Sequence, residues 1–162
     1  MSEEQLDAAG FLKAIAGRLD DFLKDELAVE VSQTEYHLGD HNRIELRYLT
    51  SLLGVKGQVQ MFILFSFDKL LIQHVYEAYT AELTIEDDEK ELMMDETSGD
   101  LLNIVIGNVL STISKKGKRN TVTPPLTLTD AKNLVRHRNA TVKSADLLTA
   151  SGLVSIYCVW PK

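Results

Sequence analysis

Residues 96–108 read ETSGDLLNIVIGN, and their periodicity predicts a helix with one narrow polar edge. At about 100° per residue, Glu96, Asn103 and Gly107 all fall within about 60° of Asp100 around the helix axis. The apolar side chains on the opposite arc are Leu101, Leu102, Val105, Ile106, Val109, Leu110 and Ile113. Such an arc is typical of a helix packed against a core. Because asparagine is a mediocre helix former, Asn103 indicates either an ordinary solvated edge or a functional one, with Gly107 leaving room for an approaching group.

Working outward, this helix is predicted to run from Asp88 to Lys116 and to stop at Gly117, a residue type that commonly ends helices. A second long helix is predicted from Gln5 to Leu27, where apolar residues recur at helical spacing. A shorter stretch from Phe67 to Leu83 has the same spacing. Its apolar series is Leu71, Val75, Ala78, Tyr79 and Leu83.

The remaining segments favour strands and turns. Strands are predicted at Val29–Tyr36, Ile44–Leu53 and Val55–Phe65, the last two joined near Gly54 and Gly57. Asn120–Pro125 is predicted to be a loop, and Thr141–Leu148 with Gly152–Val159 a terminal strand pair. The order of elements predicts an α/β protein of the α+β type, a mostly antiparallel sheet packed against two long helices, and a single domain over residues 1–162.

Composition favours a soluble cytoplasmic protein. Hydrophobic residues make up 44% and charged residues 25% of the 162, as in ordinary globular domains. No apolar run approaches the roughly 18 residues that span a bilayer, so no membrane partner is expected. The amino-terminal residues lack the basic start and apolar centre of a secretory signal.

The charge distribution argues against nucleic-acid binding. The net charge is −7, with 22 acidic and 8 basic residues in 1–100 against 2 and 9 in 101–162. The basic cluster Lys115, Lys116, Lys118 and Arg119 falls at a predicted helix end, where cations complement the helix dipole. Because no aromatic residues are interleaved with it and the whole chain repels phosphate, we expect no nucleic-acid partner.

Cysteine and histidine give no strong site of their own. Cys158 lies in an apolar run and is expected to be a buried structural thiol. His37 and His41 have a spacing seen in metal sites, but Gly39 between them favours a turn and no third ligand is placed, so no metal is expected. His74 lies between apolar helical positions and reads as half-buried.

The polar edge gains a specific interpretation from its distance to Pro125. Asp100, two residues, Asn103, twenty-one residues and Pro125 resemble the signature of the CheC/CheX/FliY family of chemotaxis phosphatases. That signature reads Asp or Ser, three residues, Glu, two residues, Asn, twenty-one residues, Pro. Two positions depart from it, since Glu96 replaces the first Asp or Ser and Asp100 replaces Glu, and both keep a carboxylate. The chain carries one such motif, as CheX-like members do.

The resemblance implies a CheC-like fold and removal of phosphate from the aspartyl-phosphate of a CheY-like response regulator. By position in the motif, Asn103 orients the attacking water and Asp100 pairs with a lysine of the regulator. Glu96 is a rim contact, while Gly107 and Pro125 shape the partner-binding surface. Mg²⁺ belongs to the regulator, so the chain needs no cofactor of its own. CheX-like proteins join sheet edges, which implies a homodimer.

The aspartate at position 100 leaves a second function open. Aspartate is one methylene shorter than glutamate, so Asp100 reaches less far toward a partner. A non-catalytic adaptor that binds receiver domains through the same helix edge is the second interpretation.

Overall fold

Three α-helices and a large sheet make up the part of the chain that the computed structural model describes, residues 7–39, 43–57, 60–113, 120–129, 133–135 and 140–161. The helices are α1 (Ala8–Leu27), α2 (Lys69–Tyr79) and α3 (Lys90–Ile113), the last preceded by a 3₁₀ turn at Asp87–Glu89. The strands are β1 (Val31–His37), β2 (Arg43–Glu45), β3 (Leu49–Lys56), β4 (Met61–Phe67), β5 (Thr121–Val122), β6 (Leu126–Thr129), β7 (Asn133–Val135), β8 (Ala140–Thr149) and β9 (Gly152–Pro161).

All strand pairs within the described residues are antiparallel, as predicted. The main sheet has the order β1-β8-β9-β4-β3-β5, with β6 also paired to β3, and β2 and β7 form a separate two-stranded ribbon. The carboxyl-terminal hairpin β8–β9 lies between β1 and β4, so it connects the two amino-terminal parts of the sheet.

The helices cover one face of the main sheet. Their buried side chains form one hydrophobic cluster with inward-facing strand residues such as Phe65, Phe67 and Ile156. The buried residues of α3 include Leu101, Leu102, Val105, Ile106, Val109 and Leu110, which confirms the predicted apolar arc. The expected two long helices, α1 and α3, are therefore joined by the shorter α2 in the same layer.

Two strand boundaries were predicted wrongly. The structure interrupts the predicted strand Ile44–Leu53 between β2 and β3, and Gly54 lies inside β3 opposite Phe62 instead of at a turn. A Cβ on Gly54 would lie 3.2 Å from the Phe62 ring, so glycine makes room for an aromatic neighbour there. The connection to β4 follows instead at Gly57, and β4 begins at Met61.

Helix ends and loops differ in smaller ways. The predicted helix Phe67–Leu83 is shorter, because α2 ends at Tyr79, where Thr80 turns its backbone N–H and its hydroxyl back to the Tyr76 carbonyl. The predicted loop Asn120–Pro125 contains β5, while the terminal strand pair is confirmed. The helix ends predicted at Gln5 and at Lys116–Gly117, and the basic cluster beside the latter, lie outside the described residues.

Candidate functional site

The polar edge predicted for α3 is present and faces outward. Glu96, Asp100, Asn103 and Gly107 are all exposed, whereas the residues between them on the inward side are buried. Successive turns of α3 thus present two carboxylates, an amide and a gap in one line along the helix. Asn103 lies about 4.5 Å beyond Asp100 along the axis, and Gly107 about 10 Å beyond it.

The segment before β6 brings Pro125 back against the motif helix. A Cβ on Gly99 would lie 3.3 Å from Pro125 Cγ, so the absence of a side chain at Gly99 allows this close approach. Two hydrogen bonds hold the neighbouring backbone: the Thr127 hydroxyl donates to the Asp95 carbonyl at 3.4 Å, and the Ser51 hydroxyl donates to the Ser98 carbonyl at 3.2 Å. The twenty-one-residue spacer therefore ends beside the helix on which it began.

A cleft of about 320 Å³ opens between α3 and this segment. Its lining residues are Leu92, Asp95, Glu96, Gly99, Asp100, Pro125 and Thr127. Three of the five predicted site residues, Glu96, Asp100 and Pro125, therefore border one cleft. Asn103 and Gly107 do not line it and follow on the same exposed edge of the helix.

The cleft carries negative charge. Burial, and to a lesser degree the charge of Glu91, raise the pKa of Asp95 above its usual value. With Glu96 and Asp100 on the same cleft, the described residues form a surface suited to a cationic partner group.

At Gly107 the surface is open. No heavy atom outside its own stretch of helix lies within 4 Å of the position that a Cβ would take there. The prediction that this glycine leaves room for an approaching group is consistent with that space.

Tyr79 is a site neighbour that the sequence did not single out. Its hydroxyl, at the last residue of α2, donates a hydrogen bond to Asp100 Oδ2 at 3.3 Å. Burial and then the charge of Asp100 raise the pKa of Tyr79 above 10.0, so the phenol stays protonated at neutral pH. The helical pattern marked Tyr79 only as an apolar position, because periodicity does not show where the far end of a side chain lies.

The other polar candidates have structural partners. His37 Nε2 lies 3.1 Å from Asp146 Oδ2, and His41 falls outside the described residues, so the predicted absence of a metal there is not tested. Nowhere in the described ranges do three or more His, Cys, Asp or Glu side chains form a group that could hold a metal ion. Exposed His74, predicted half-buried, contacts the Ser151 hydroxyl, and Cys158 is fully buried as expected.

Comparison with known proteins identifies the family. The model of the family described as chemotaxis phosphatase CheX matches residues 49–146, a range that contains Asp100, Asn103 and Pro125. The chain belongs to the CheX family. No curated protein sequence matches it. As a CheX family member, it carries the motif on the helix where the resemblance expects it.

Solved structures match the fold over almost the whole chain. A putative chemotaxis protein from Desulfovibrio vulgaris Hildenborough has a TM-score of 0.77 at 12% identity, covering 95% of this chain and 98% of that one. A CheC-like superfamily protein from Shewanella sp. PV-4 gives 0.72 at 17% identity, covering 92% and 96%. CheX of Borrelia burgdorferi, in a structure of its complex with CheY, BeF3 and Mg²⁺, gives 0.72 at 18% identity, covering 96% and 97%.

These similarities confirm the CheC-like fold of this CheX family member. The mixed helical layer and antiparallel sheet predicted from the sequence are the architecture that the matches share. Within the described residues, no helix is long and apolar enough to cross a membrane.

Proposed function

We propose that this chain is a phosphatase that removes the phosphoryl group from the aspartyl-phosphate of a CheY-like response regulator. The observation that carries the proposal is the exposed amide of Asn103, on the edge of α3 that Asp100 shares and one turn from a cleft bordered by Pro125. Membership in a phosphatase family and the complex formed by the Borrelia burgdorferi CheX with CheY support the substrate class.

The chemistry requires little more than a positioned water. An acyl phosphate is an activated species, so catalysis is mainly a matter of placement and charge. The carbonyl oxygen of the Asn103 side chain accepts a hydrogen bond from the water, and its amide N–H donates one to the water or to the phosphoryl group. The water oxygen bonds to phosphorus as the bond to the aspartyl oxygen breaks, releasing inorganic phosphate and the regulator's carboxylate. The regulator brings the Mg²⁺ that this step needs, so this chain supplies no cofactor.

The carboxylates on the same edge bind the regulator. Asp100 pairs with a lysine beside the phosphorylation site, a charge-assisted contact that fixes the two proteins relative to each other. Glu96 adds a contact at the rim, and the bare surface at Gly107 lets the regulator come close to α3. Pro125, packed on Gly99, shapes the wall of the cleft and takes no part in the chemistry.

A receiver-binding adaptor is the second candidate, and Asp100 is the observation that favours it. The signature has glutamate at this position, and a placement error on the order of 1 Å can lower a rate by about 10²-fold. The shorter side chain accepts a hydrogen bond from the Tyr79 hydroxyl at 3.3 Å, which limits how freely the carboxylate can move. An adaptor of this kind binds the activated regulator and leaves its phosphate in place.

Phosphate loss from a phosphorylated CheY-like regulator separates the two candidates. With substoichiometric wild-type protein, the phosphatase proposal expects decay faster than that of the regulator alone, and faster still with Asp100→Glu if the short acid limits the rate. The adaptor proposal expects a different result: wild type and Asp100→Glu both bind the regulator loaded with BeF3 and Mg²⁺, but neither accelerates its loss of phosphate. That result would refute the phosphatase proposal.

A further inference from the structure

We infer that Tyr79 is a positioning residue of this site, whose hydroxyl orients the Asp100 carboxylate to receive a cationic group of the partner protein. The inference rests on the proposed function and adds a residue from a second helix to it. It follows from the contact between the end of α2 and the exposed edge of α3.

Tyr79 is held more firmly than the carboxylate that it contacts. Its ring is half-buried and packs against the hydrophobic cluster beneath α2 and α3. The next residue, Thr80, fixes the helix end, since its N–H and its hydroxyl both donate to the Tyr76 carbonyl, at 3.0 and 2.7 Å. Asp100 is exposed, and Tyr79 is its hydrogen-bond partner in the structure. The half-buried phenol is therefore placed to orient the exposed acid.

The contact leaves the acid able to bind a partner. A carboxylate has about four lone-pair sites, and the phenol uses one of them on Oδ2. The phenolic oxygen also keeps its own lone pairs, so an ammonium or guanidinium group that reaches Asp100 can donate to both residues. A phenol with a pKa raised above 10.0 by burial is protonated at neutral pH, so Tyr79 remains a donor to Asp100 while the site operates.

The length of the bond sets the size of the effect. At 3.3 Å it is longer than the 2.7–2.8 Å usual for O–H···O contacts, so its contribution belongs at the low end of the range for hydrogen bonds. We expect Tyr79→Phe, which keeps the ring and removes the hydroxyl, to raise KM for the phosphorylated regulator roughly two- to fivefold. Because Tyr79→Phe changes neither the length of the Asp100 side chain nor the position of Asn103, we expect kcat to change less than twofold.

The experiment measures KM and kcat with the phosphorylated regulator, and Kd with the same regulator loaded with BeF3 and Mg²⁺. Tyr48→Phe is the matched control, because Tyr48 is a half-buried tyrosine outside the site, whose ring centroid lies 5.2 Å from Lys69 Nζ. The control should keep wild-type KM and Kd. Thermal unfolding of each variant checks that the fold is intact.

A double-mutant cycle tests whether Tyr79 acts through Asp100. In an Asp100→Ala background, Tyr79→Phe should change Kd no further. Equal losses in both backgrounds, or a Tyr79→Phe protein that binds as well as wild type, would overturn the inference while leaving the proposed function standing. Tighter binding by Tyr79→Phe would overturn it too, since it would mean that the phenol blocks the acid. A wild-type protein that binds no regulator would overturn both.

Discussion

Asp100 connects the residue-scale observations at the site. It borders the acidic cleft, accepts the Tyr79 hydrogen bond and occupies the position where the family signature has glutamate. Its neighbour Gly99 contacts Pro125, so a shift in either residue moves the acid relative to the cleft wall. We therefore expect the reach of this one carboxylate to distinguish the proposed phosphatase from an adaptor.

The sequence predicted candidate site residues from their spacing along the chain and did not single out Tyr79, which reaches the site from another helix. Asp100, Asn103 and Pro125 stand at fixed separations along the chain, and a spacing pattern can detect them. The Tyr79 hydroxyl meets Asp100 only because α2 packs beside α3, which no local pattern encodes. The approach of Pro125 to Gly99 likewise depends on the pairing of β6 with β3.

Cys158 gives a residue-scale prediction about the core. Full burial raises the pKa of its thiol to about 12. At pH 8 the thiolate fraction is then on the order of 10⁻⁴, and the sulfur is also out of reach of solvent. We expect a thiol reagent to leave the native protein unmodified at pH 8 and to modify it fully in denaturant. Stoichiometric labelling of the folded protein within minutes would contradict the packing around β9.

At the scale of elements, α3 carries two glycines with opposite surroundings. Glycine in a helix interior costs about 0.5–1 kcal/mol relative to alanine. Gly107 has open space where a Cβ would go, whereas at Gly99 the same atom would meet Pro125 at 3.3 Å. The first glycine is therefore replaceable as far as the fold is concerned, and the second is needed for the wall of the cleft.

We expect Gly107→Ala to raise the free energy of unfolding by about 0.5–1 kcal/mol and Gly99→Ala to raise it less or to lower it. Urea denaturation of both variants measures the difference. A Gly99→Ala protein stabilised as much as Gly107→Ala would show that Pro125 does not press on the helix.

Gly107→Leu introduces a good helix former but fills the gap on the exposed edge of α3. Its Kd for the BeF3-loaded regulator should therefore rise on the order of tenfold.

Element prediction succeeded where one hydrophobic period extends over many residues. The 20-residue α1 and 24-residue α3 were found because each buries one continuous face. The strand boundary at Gly54 was wrong, because glycine normally signals a turn but here accommodates the Phe62 ring across β3 and β4. The ribbon of β2 and β7 pairs segments that are distant in the chain, and no local sequence pattern predicts that pairing.

At the scale of the whole molecule, the sequence predicted the fold class correctly. The antiparallel sheet under a helical layer matches the predicted α+β architecture and the solved relatives. The strand order did not follow, since β8 and β9 insert between β1 and β4. The prediction of a single domain over residues 1–162 stays a prediction, for which one cooperative calorimetric transition is the test.

A homodimer is predicted to form by pairing of exposed sheet edges. Among the described residues, β1 pairs with β8 alone, so its outer backbone groups can pair with a second copy. Sedimentation equilibrium at micromolar concentration should give twice the monomer mass of 18.1 kDa. A mass that stays at 18.1 kDa at those concentrations would contradict the dimer.

The proposed phosphatase depends on the Asn103 amide acting at the phosphoryl group, and Asn108 supplies a matched control. Both are exposed amides on α3, but Asn108 donates its N–H to the Ile104 carbonyl at 2.6 Å. The measurement is single-turnover decay of the phosphorylated regulator with saturating wild type, Asn103→Ala or Asn108→Ala. We predict a loss on the order of 10²-fold for Asn103→Ala and a wild-type rate for Asn108→Ala. Equal decay with wild type and Asn103→Ala would contradict it.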